Sequence, residues 1–245
     1  MEEQIIQLDS VDSTNEWVKR NIQKLHPAKI TLVIAKKQTK GRGTRGKSWS
    51  SPKSINLYAS YYLQQSAQTP LANLAQITAL SVAKTLEQLE IATTIKWPND
   101  IFASEKKIAG ILCETIPLAD FIGVIIGIGL NIQMTATEAA LIDQPATSLW
   151  LETKKNYTVE DLLPILHKNF VKYLHTYLQE GFSPFRQELE QKLLYKGKRV
   201  QAQCGGKMIA GVLHSITEEG HVRLLLKDGS FKILASADIR PIVQL

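Results

Sequence analysis

The sequence has little cysteine, no long apolar run and no clustered histidine, and each shortage removes a class of protein. The two cysteines, Cys113 and Cys204, are too few for a disulfide framework, and two buried thiols in a reducing compartment are expected. Neither has metal-ligand spacing, and His26, His167, His175, His214 and His221 are scattered, so no protein metal site is expected. The longest uninterrupted apolar run, Phe121 to Leu130, is shorter than the roughly 20 residues of a membrane span. Met1-Glu2-Glu3-Gln4 offers no basic segment followed by an apolar one, so no secretory signal and a cytoplasmic location are expected. There is no internal repeat and no Pro-rich or Gly/Ser-rich linker. What remains is ordinary: 245 residues, 44% hydrophobic and 21% charged, the composition of a soluble globular protein rather than a disordered or fibrous one.

Lys and Arg outnumber Asp and Glu by 29 to 23, a formal net charge of +6. That sign suits a polyanion, either nucleic acid or a phosphorylated small molecule. The distribution separates the two. Lys36, Lys37, Lys40, Arg42, Arg45, Lys47 and Lys53 follow one another with no acid between them, and without them the chain is close to neutral. One concentrated loop points to a single anion site. A nucleic-acid-binding module would track many phosphates and interleave aromatics with its cations, so it is the weaker reading.

A chain of this length holds one main core and a small appendage. Ser13 and Glu16 read as a capping box opening a helix with Trp17, Val18, Ile22 and Leu25 on its apolar side. Ile30 to Ala35 and Ile55 to Tyr61 read as strands on either side of the basic loop. The spacing predicts a helix over Pro70 to Leu89, strands over Thr93 to Trp97, Ile108 to Glu114 and Phe121 to Ile132, and a helix over Leu162 to Leu178. The Pro98-Asn99-Asp100 and Glu105-Lys106-Lys107 segments read as turns. Beyond Lys192 short strands at about ten-residue spacing, with turns at Gly205-Gly206, Gly220 and Gly229, predict a small β-barrel. The expected division is 1–194 and 195–245.

Gly41-Arg42-Gly43-Thr44-Arg45-Gly46-Lys47-Ser48 matches the P-loop expression, and that match is rejected. A P-loop opens into a helix whose first N–H groups hold phosphates, whereas Trp49-Ser50-Ser51-Pro52 and a strand follow here. The anion logic survives without the helix: glycines let backbone N–H groups approach a ligand, and the arginine fork suits carboxylate and phosphate. Three further segments carry chemistry. Lys96-Trp97-Pro98-Asn99-Asp100 gathers an ammonium, an amide and a carboxylate, although the same residues favour an ordinary turn. Lys107 precedes a buried strand beginning Ile108-Ala109-Gly110. Gly127 and Gly129, late in an apolar strand that ends at Asn131, suggest close approach by a ligand or another strand.

Taken in order, Asp12-Ser13-Thr14-Asn15, Gln38 with the Gly-Arg-Gly loop, Lys96 to Asp100, Lys107 to Leu112, Gly127 to Asn131, Ala146 to Leu149 and, more loosely, Asp238-Ile239-Arg240 resemble the motifs of the biotin protein ligases. The resemblance spans essentially the whole chain and implies an α+β fold: a mixed sheet with packed helices, of the class II synthetase-like biotin–lipoate ligase type, plus a C-terminal SH3-like β-barrel. It implies the short class without an N-terminal DNA-binding domain, since Ser13 stands so near Met1.

The resemblance further implies that ATP, with Mg²⁺, activates biotin as biotinyl-5′-AMP, which then passes to a lysine of a biotin carboxyl carrier protein. By resemblance Ser13, Thr14, Asn15 and Gln38 take the ureido ring, Trp49 packs along the hydrocarbon, and Gly43, Thr44 and Gly110 line the ligand. Arg42 and Lys107 face carboxylate and phosphate, Lys96 also faces the phosphate, and Asn131 faces adenine. Many relatives carry arginine at position 44, and threonine there is expected to hold the loop less firmly. The expected partner is the carrier, with no DNA and no membrane, and the chain is expected as a monomer or weak homodimer. A lipoate or octanoate transferase relative and a catalytically dead biotin sensor are the alternatives.

Overall fold

The computed structural model describes residues 3–52 and 55–242; Lys53 of the basic cluster lies outside the described residues. In chain order the elements are β1 (Glu3–Leu8), α1 (Thr14–Asn21), β2 (Ile30–Ala35), β3 (Asn56–Ser66), α2 (Leu74–Glu87), β4 (Thr94–Lys96), β5 (Asp100–Ala103), β6 (Lys106–Pro117), β7 (Phe121–Asn131), α3 (Ala136–Ala140), α4 (Leu149–Thr153), α5 (Val159–Glu180) and α6 (Arg186–Gln191), then β8 (Arg199–Cys204), β9 (Lys207–Ile216), β10 (Val222–Leu225), β11 (Phe231–Leu234) and β12 (Asp238–Pro241). The first seven strands make one mixed sheet, ordered β1-β2-β3-β7-β6-β5-β4, and the last five an antiparallel sheet, ordered β11-β10-β9-β8-β12. Only the β1–β2 pair is parallel. The architecture is the α+β one expected. No helix among the described residues is long and apolar enough to cross a membrane.

The large sheet has two unequal faces, and β7 shows how. Val124, Ile126, Ile128 and Leu130 belong to the main core, which includes the apolar sides of α2 and α5. Ile125 joins Val18 of α1, Val33 and Tyr62 in a smaller cluster on the other face. Side chains alternate along a strand, so Gly127 and Gly129 face the α1 side with Ile125. Across the ladder Ser60 and Leu112 stand opposite Gly127, and Tyr58 and Gly110 opposite Gly129. Three glycines thus floor a trough beside α1.

Several local expectations change. Ser13 is the N-cap of α1, but its side chain makes no cap bond. Glu16 turns outward to Lys19 and Arg42 instead, where two cations outweigh one backbone N–H. True capping boxes form at Thr135/Glu138 and Thr158/Asp161. β1 was not anticipated, because its alternation is that of a half-exposed edge strand mixing Gln, Glu and Ile. α2 starts at Leu74 rather than Pro70. Asp100 opens a strand, and Lys107 lies inside one, paired across the ladder with Phe102. Both cysteines are free and half-buried rather than buried; burial nonetheless pushes the Cys113 thiol up to about 12, which leaves it unreactive at neutral pH.

The C-terminal sheet is docked by the Glu219-Gly220 turn. Trp97 Nε1 and Gln76 Nε2 both donate to the Gly220 carbonyl, at 3.0 and 2.8 Å, and Asn73 Nδ2 donates to Glu219 O at 3.0 Å. Gly220 has φ +78°, and a Cβ there would lie 2.6 Å from Gln76 Oε1. Only glycine fits both conditions.

Candidate active site

The basic loop is a tight hairpin. Trp49 N donates to Gly41 O at 2.9 Å and Gly43 N to Lys47 O at 2.7 Å, with Arg42 and Ser48 bridged between them. The tip, Thr44–Gly46, is a single 3-10 turn with Arg45 in the left-handed region, and extended chain follows at Lys47. No helix grows from Ser48, as the rejection of a P-loop requires.

At one end of the glycine trough lies a buried polar cluster. The Thr14 backbone N–H and hydroxyl both donate to Gln38 Oε1, at 2.8 and 3.1 Å. Ser60 Oγ is 2.7 Å from Thr14 Oγ1 and 2.5 Å from Asn15 Oδ1. Gln38 Nε2 in turn donates to Ser51 Oγ at 3.0 Å. Thr14, Asn15 and Ser60 are all buried. Asn15 sits over Gly127, where a Cβ would lie 2.6 Å from its Oδ1. Ser13 is buried beside them, its N–H bonded to Asp12 Oδ1 at 2.8 Å.

The middle of the trough is covered by Trp49. A Cβ on Gly110 would lie 2.9 Å from the indole and one on Gly129 2.6 Å from Nε1, so larger residues at either position would expel the ring. The indole N–H is buried without a partner, a desolvation cost that a ligand acceptor would remove. Lys107 Nζ stands 5.2 Å from the ring centroid and 2.8 Å from Asp100 Oδ1.

Beyond Trp49 opens a cleft of about 300 Å³, lined by Thr44, Arg45, Lys47, Lys96, Lys107 and Asp238 among others. Lys96 pairs with Asp238 at 3.4 Å. Burial raises the Asp238 carboxyl, but the Arg240 hydrogen bond and Lys96 outweigh it and hold the group below its ordinary value. Asn131 lies in an adjoining recess with Gln144, its Nδ2 donating to Thr147 O at 3.0 Å. Arg42 is placed elsewhere: it points to the polar end, paired with Glu16 and with Glu114 at 3.1 Å. A cation cleft, an indole-covered strip and a polar cluster therefore lie next to one another.

A sequence model described as the biotin/lipoate A/B protein ligase family matches residues 8–131, which holds the hairpin, the polar cluster and the glycine floor. The chain belongs to that family. Among ligases of the family, the bifunctional ligase/repressor BirA of Escherichia coli is 31% identical over 229 residues, 92% of this chain and 70% of that one. The biotin–[acetyl-CoA-carboxylase] ligase of Paracoccus denitrificans is 30% identical over 77% of this chain and 81% of its own. A solved ligase structure, that of Aquifex aeolicus with biotin and ATP, superposes with a TM-score of 0.82 at 31% identity, covering 97% of each chain.

Against the expected ligase site, Thr14, Asn15 and Gln38 are together, as are Trp49, Lys107 and Gly110. Gly43 and Thr44 reach the cleft with Lys96. Ser60, Glu114 and the Ser236-Ala237 wall were missed as site residues, whereas Asp100 and Asp238 stood in the motifs without an assigned role. Ser60 and Glu114 lie mid-strand with no motif around them, and only the sheet register makes them neighbours of Asn15.

Proposed function

We propose that this chain is a biotin protein ligase with its ATP site in the cleft and its biotin site in the trough. One observation carries the reading: a buried hydroxyl-and-amide cluster, an apolar strip covered by an indole, and ammonium groups follow one another beside the sheet. A ureido ring, an alkyl chain and a carboxylate match that sequence of surfaces. A lipoyl or octanoyl group has no ureido group to exchange hydrogen bonds with that cluster.

Biotin's carboxylate is already ionised at neutral pH, so its attack on the α-phosphate of ATP needs no general base. A carboxylate oxygen forms a bond to phosphorus, and the bond to the bridging oxygen of pyrophosphate breaks. Bringing two anions together is the difficulty, and preorganised cations address it. Lys107, Lys96 and Arg42 fill that role, with Arg42 first exchanging its glutamates for the ligand; Arg45 and Lys47 add charge from the hairpin. Ser13, Thr14, Asn15 and Gln38 hold the ureido ring, and Asn131 faces adenine. In the second step the carrier's lysine nitrogen attacks the acyl carbon, an amide forms and AMP leaves.

Among the described residues no group of three His, Cys, Asp or Glu could hold a metal ion. Mg²⁺ would be held largely through substrate phosphates and would supply charge neutralisation there, beside the ammonium groups of Lys96 and Lys107. The division into residues 1–194 and 195–245 is part of the proposal, with the second unit walling the ATP cleft. So are a carboxylase's biotin carboxyl carrier as acceptor, no DNA partner, a cytoplasmic location, and a monomer or weak homodimer.

The test is ATP–pyrophosphate exchange by the purified protein with biotin or with lipoate, followed by intact mass of an acceptor domain. Exchange and a mass gain with biotin alone are expected. Exchange with lipoate alone would move the assignment to the lipoate branch, and exchange with neither would remove the ligase reading.

A further inference from the structure

We infer that Glu114 is the positioning residue that fixes which way the Asn15 amide faces, and so sets the hydrogen-bond polarity of the biotin pocket. The inference deepens the ligase reading and rests on it.

The Asn15 amide is held at both ends. Its Nδ2 donates to Glu114 Oε2 at 2.9 Å and to Leu112 O at 3.3 Å, while its Oδ1 lies 2.5 Å from Ser60 Oγ. An ionised carboxylate only accepts hydrogen bonds. With the amide reversed, two oxygens would meet at Glu114 and the donor would leave Leu112. Glu114, the shorter and charged of the two acceptors, is therefore the main selector of the orientation that turns the oxygen edge of Asn15 toward Ser60. A ureido ring carries both N–H donors and a C=O acceptor, so a reversed amide would meet it with the wrong partner. Gly127 beneath gives the amide room, and nothing covalent prevents the flip.

Glu114 is kept charged for this work. Its side chain is 18% exposed and bonds Lys19 Nζ at 2.8 Å. Burial raises the carboxyl, but hydrogen bonds from Lys19, Asn15 and Arg42 overcome it and hold the group below the usual glutamate value. The second oxygen also takes Arg42, at 3.1 Å. Arg42 also reaches the oxygen that takes Asn15, its Nη1 3.4 Å from Oε2, and it keeps Glu16 as a partner when Glu114 is neutralised.

Glu114→Gln is close in size but can donate as well as accept, which removes the stronger of the two acceptors and leaves the longer bond to Leu112 O alone to hold the amide. The expected result is a KM for biotin raised about tenfold, corresponding to about 1.4 kcal/mol, with a smaller change in the KM for ATP. In a double-mutant cycle Asn15→Ala with Glu114→Gln should be no worse than Asn15→Ala alone, since the two act as one unit. A reciprocal variant guards against misfolding: Asn15→Asp sets two carboxylates against each other and should weaken biotin, and adding Glu114→Gln should restore part of the loss. A glutamate that merely supports the fold would give none of this pattern. Unchanged biotin KM in Glu114→Gln, additive losses in the cycle, or no rescue of Asn15→Asp would overturn the inference while leaving the ligase reading intact. A wild-type protein without biotin-dependent exchange would overturn both.

Discussion

Lys107 and Asp100 form an ion pair at 2.8 Å, with side chains only 13% and 19% exposed. The pair joins β6 to the strand that leaves the Pro98-Asn99 turn, and it holds an ammonium beside the Trp49 indole. Two of the sequence motifs thus work as one unit: the carboxylate of the second sets the cation of the third.

Lys107→Ala is expected to abolish biotin-dependent pyrophosphate exchange. A lysine in an exposed hairpin would cost little stability, but this one is largely buried. Its loss strands Asp100, which costs up to about 3 kcal/mol, so Tm should fall as well. Lys107→Ala combined with Asp100→Asn should recover most of the Tm and none of the exchange. Full activity in either variant would remove Lys107 from the mechanism.

Gly220→Ala forces a side chain into a left-handed turn facing Gln76 and Asn73, a strain of about 1–3 kcal/mol. Because this turn docks the C-terminal sheet, and Asp238 of that sheet lines the cleft proposed for ATP, the KM for ATP should rise together with the drop in Tm. A chain ending at Leu194 should lose ATP use altogether. Unchanged ATP kinetics in both would show that the second unit does not serve the cleft.

Asp12 is bonded to Arg20 through both carboxylate oxygens, at 2.7 Å each, and accepts from Ser13 N–H. The Arg20 hydrogen bond is the main reason its pKa is lowered from 3.8 to about 2. A depressed carboxylate stabilises the fold above its unfolded value and loses that contribution as pH falls through the folded one. The window is therefore pH 3.8 down to about 2. Both side chains are substantially exposed, so solvent screening keeps the contribution below about 1 kcal/mol. Carboxyl titration by NMR in Arg20→Ala should show the Asp12 midpoint moving up; an unmoved midpoint would make the pair irrelevant.

Thr44 sits at the hairpin tip and lines the cleft with Arg45 and Lys47. An acyl-adenylate survives only while water and stray amines are kept out, and a threonine contact holds a loop less firmly than a charge-assisted one. The wild-type protein should therefore label a bystander protein that lacks any acceptor domain, and Thr44→Arg should reduce that labelling. If labelling persists or increases, Arg45 and Lys47 already close the loop.

By itself the sequence determined most of the longer strands and helices and the chemistry of the hairpin, and it left β1, β5 and the short helices α3, α4 and α6 unmarked. Residues that must stop a helix stand directly after Ser48, and a period of two or of 3.6 in the apolar positions names most strands and helices, because these depend on neighbours along the chain. It could not say that Ser13 would leave Glu16 free for Arg42, since a cap competes with partners brought from another element. Only the tertiary structure decided that Gly127 and Gly129 face α1 rather than the core, that Ser60 and Glu114 meet at Asn15, and that Asp238 from the second sheet reaches Lys96. Each of these depends on strand register and docking, where a shift of one residue turns every side chain to the opposite face.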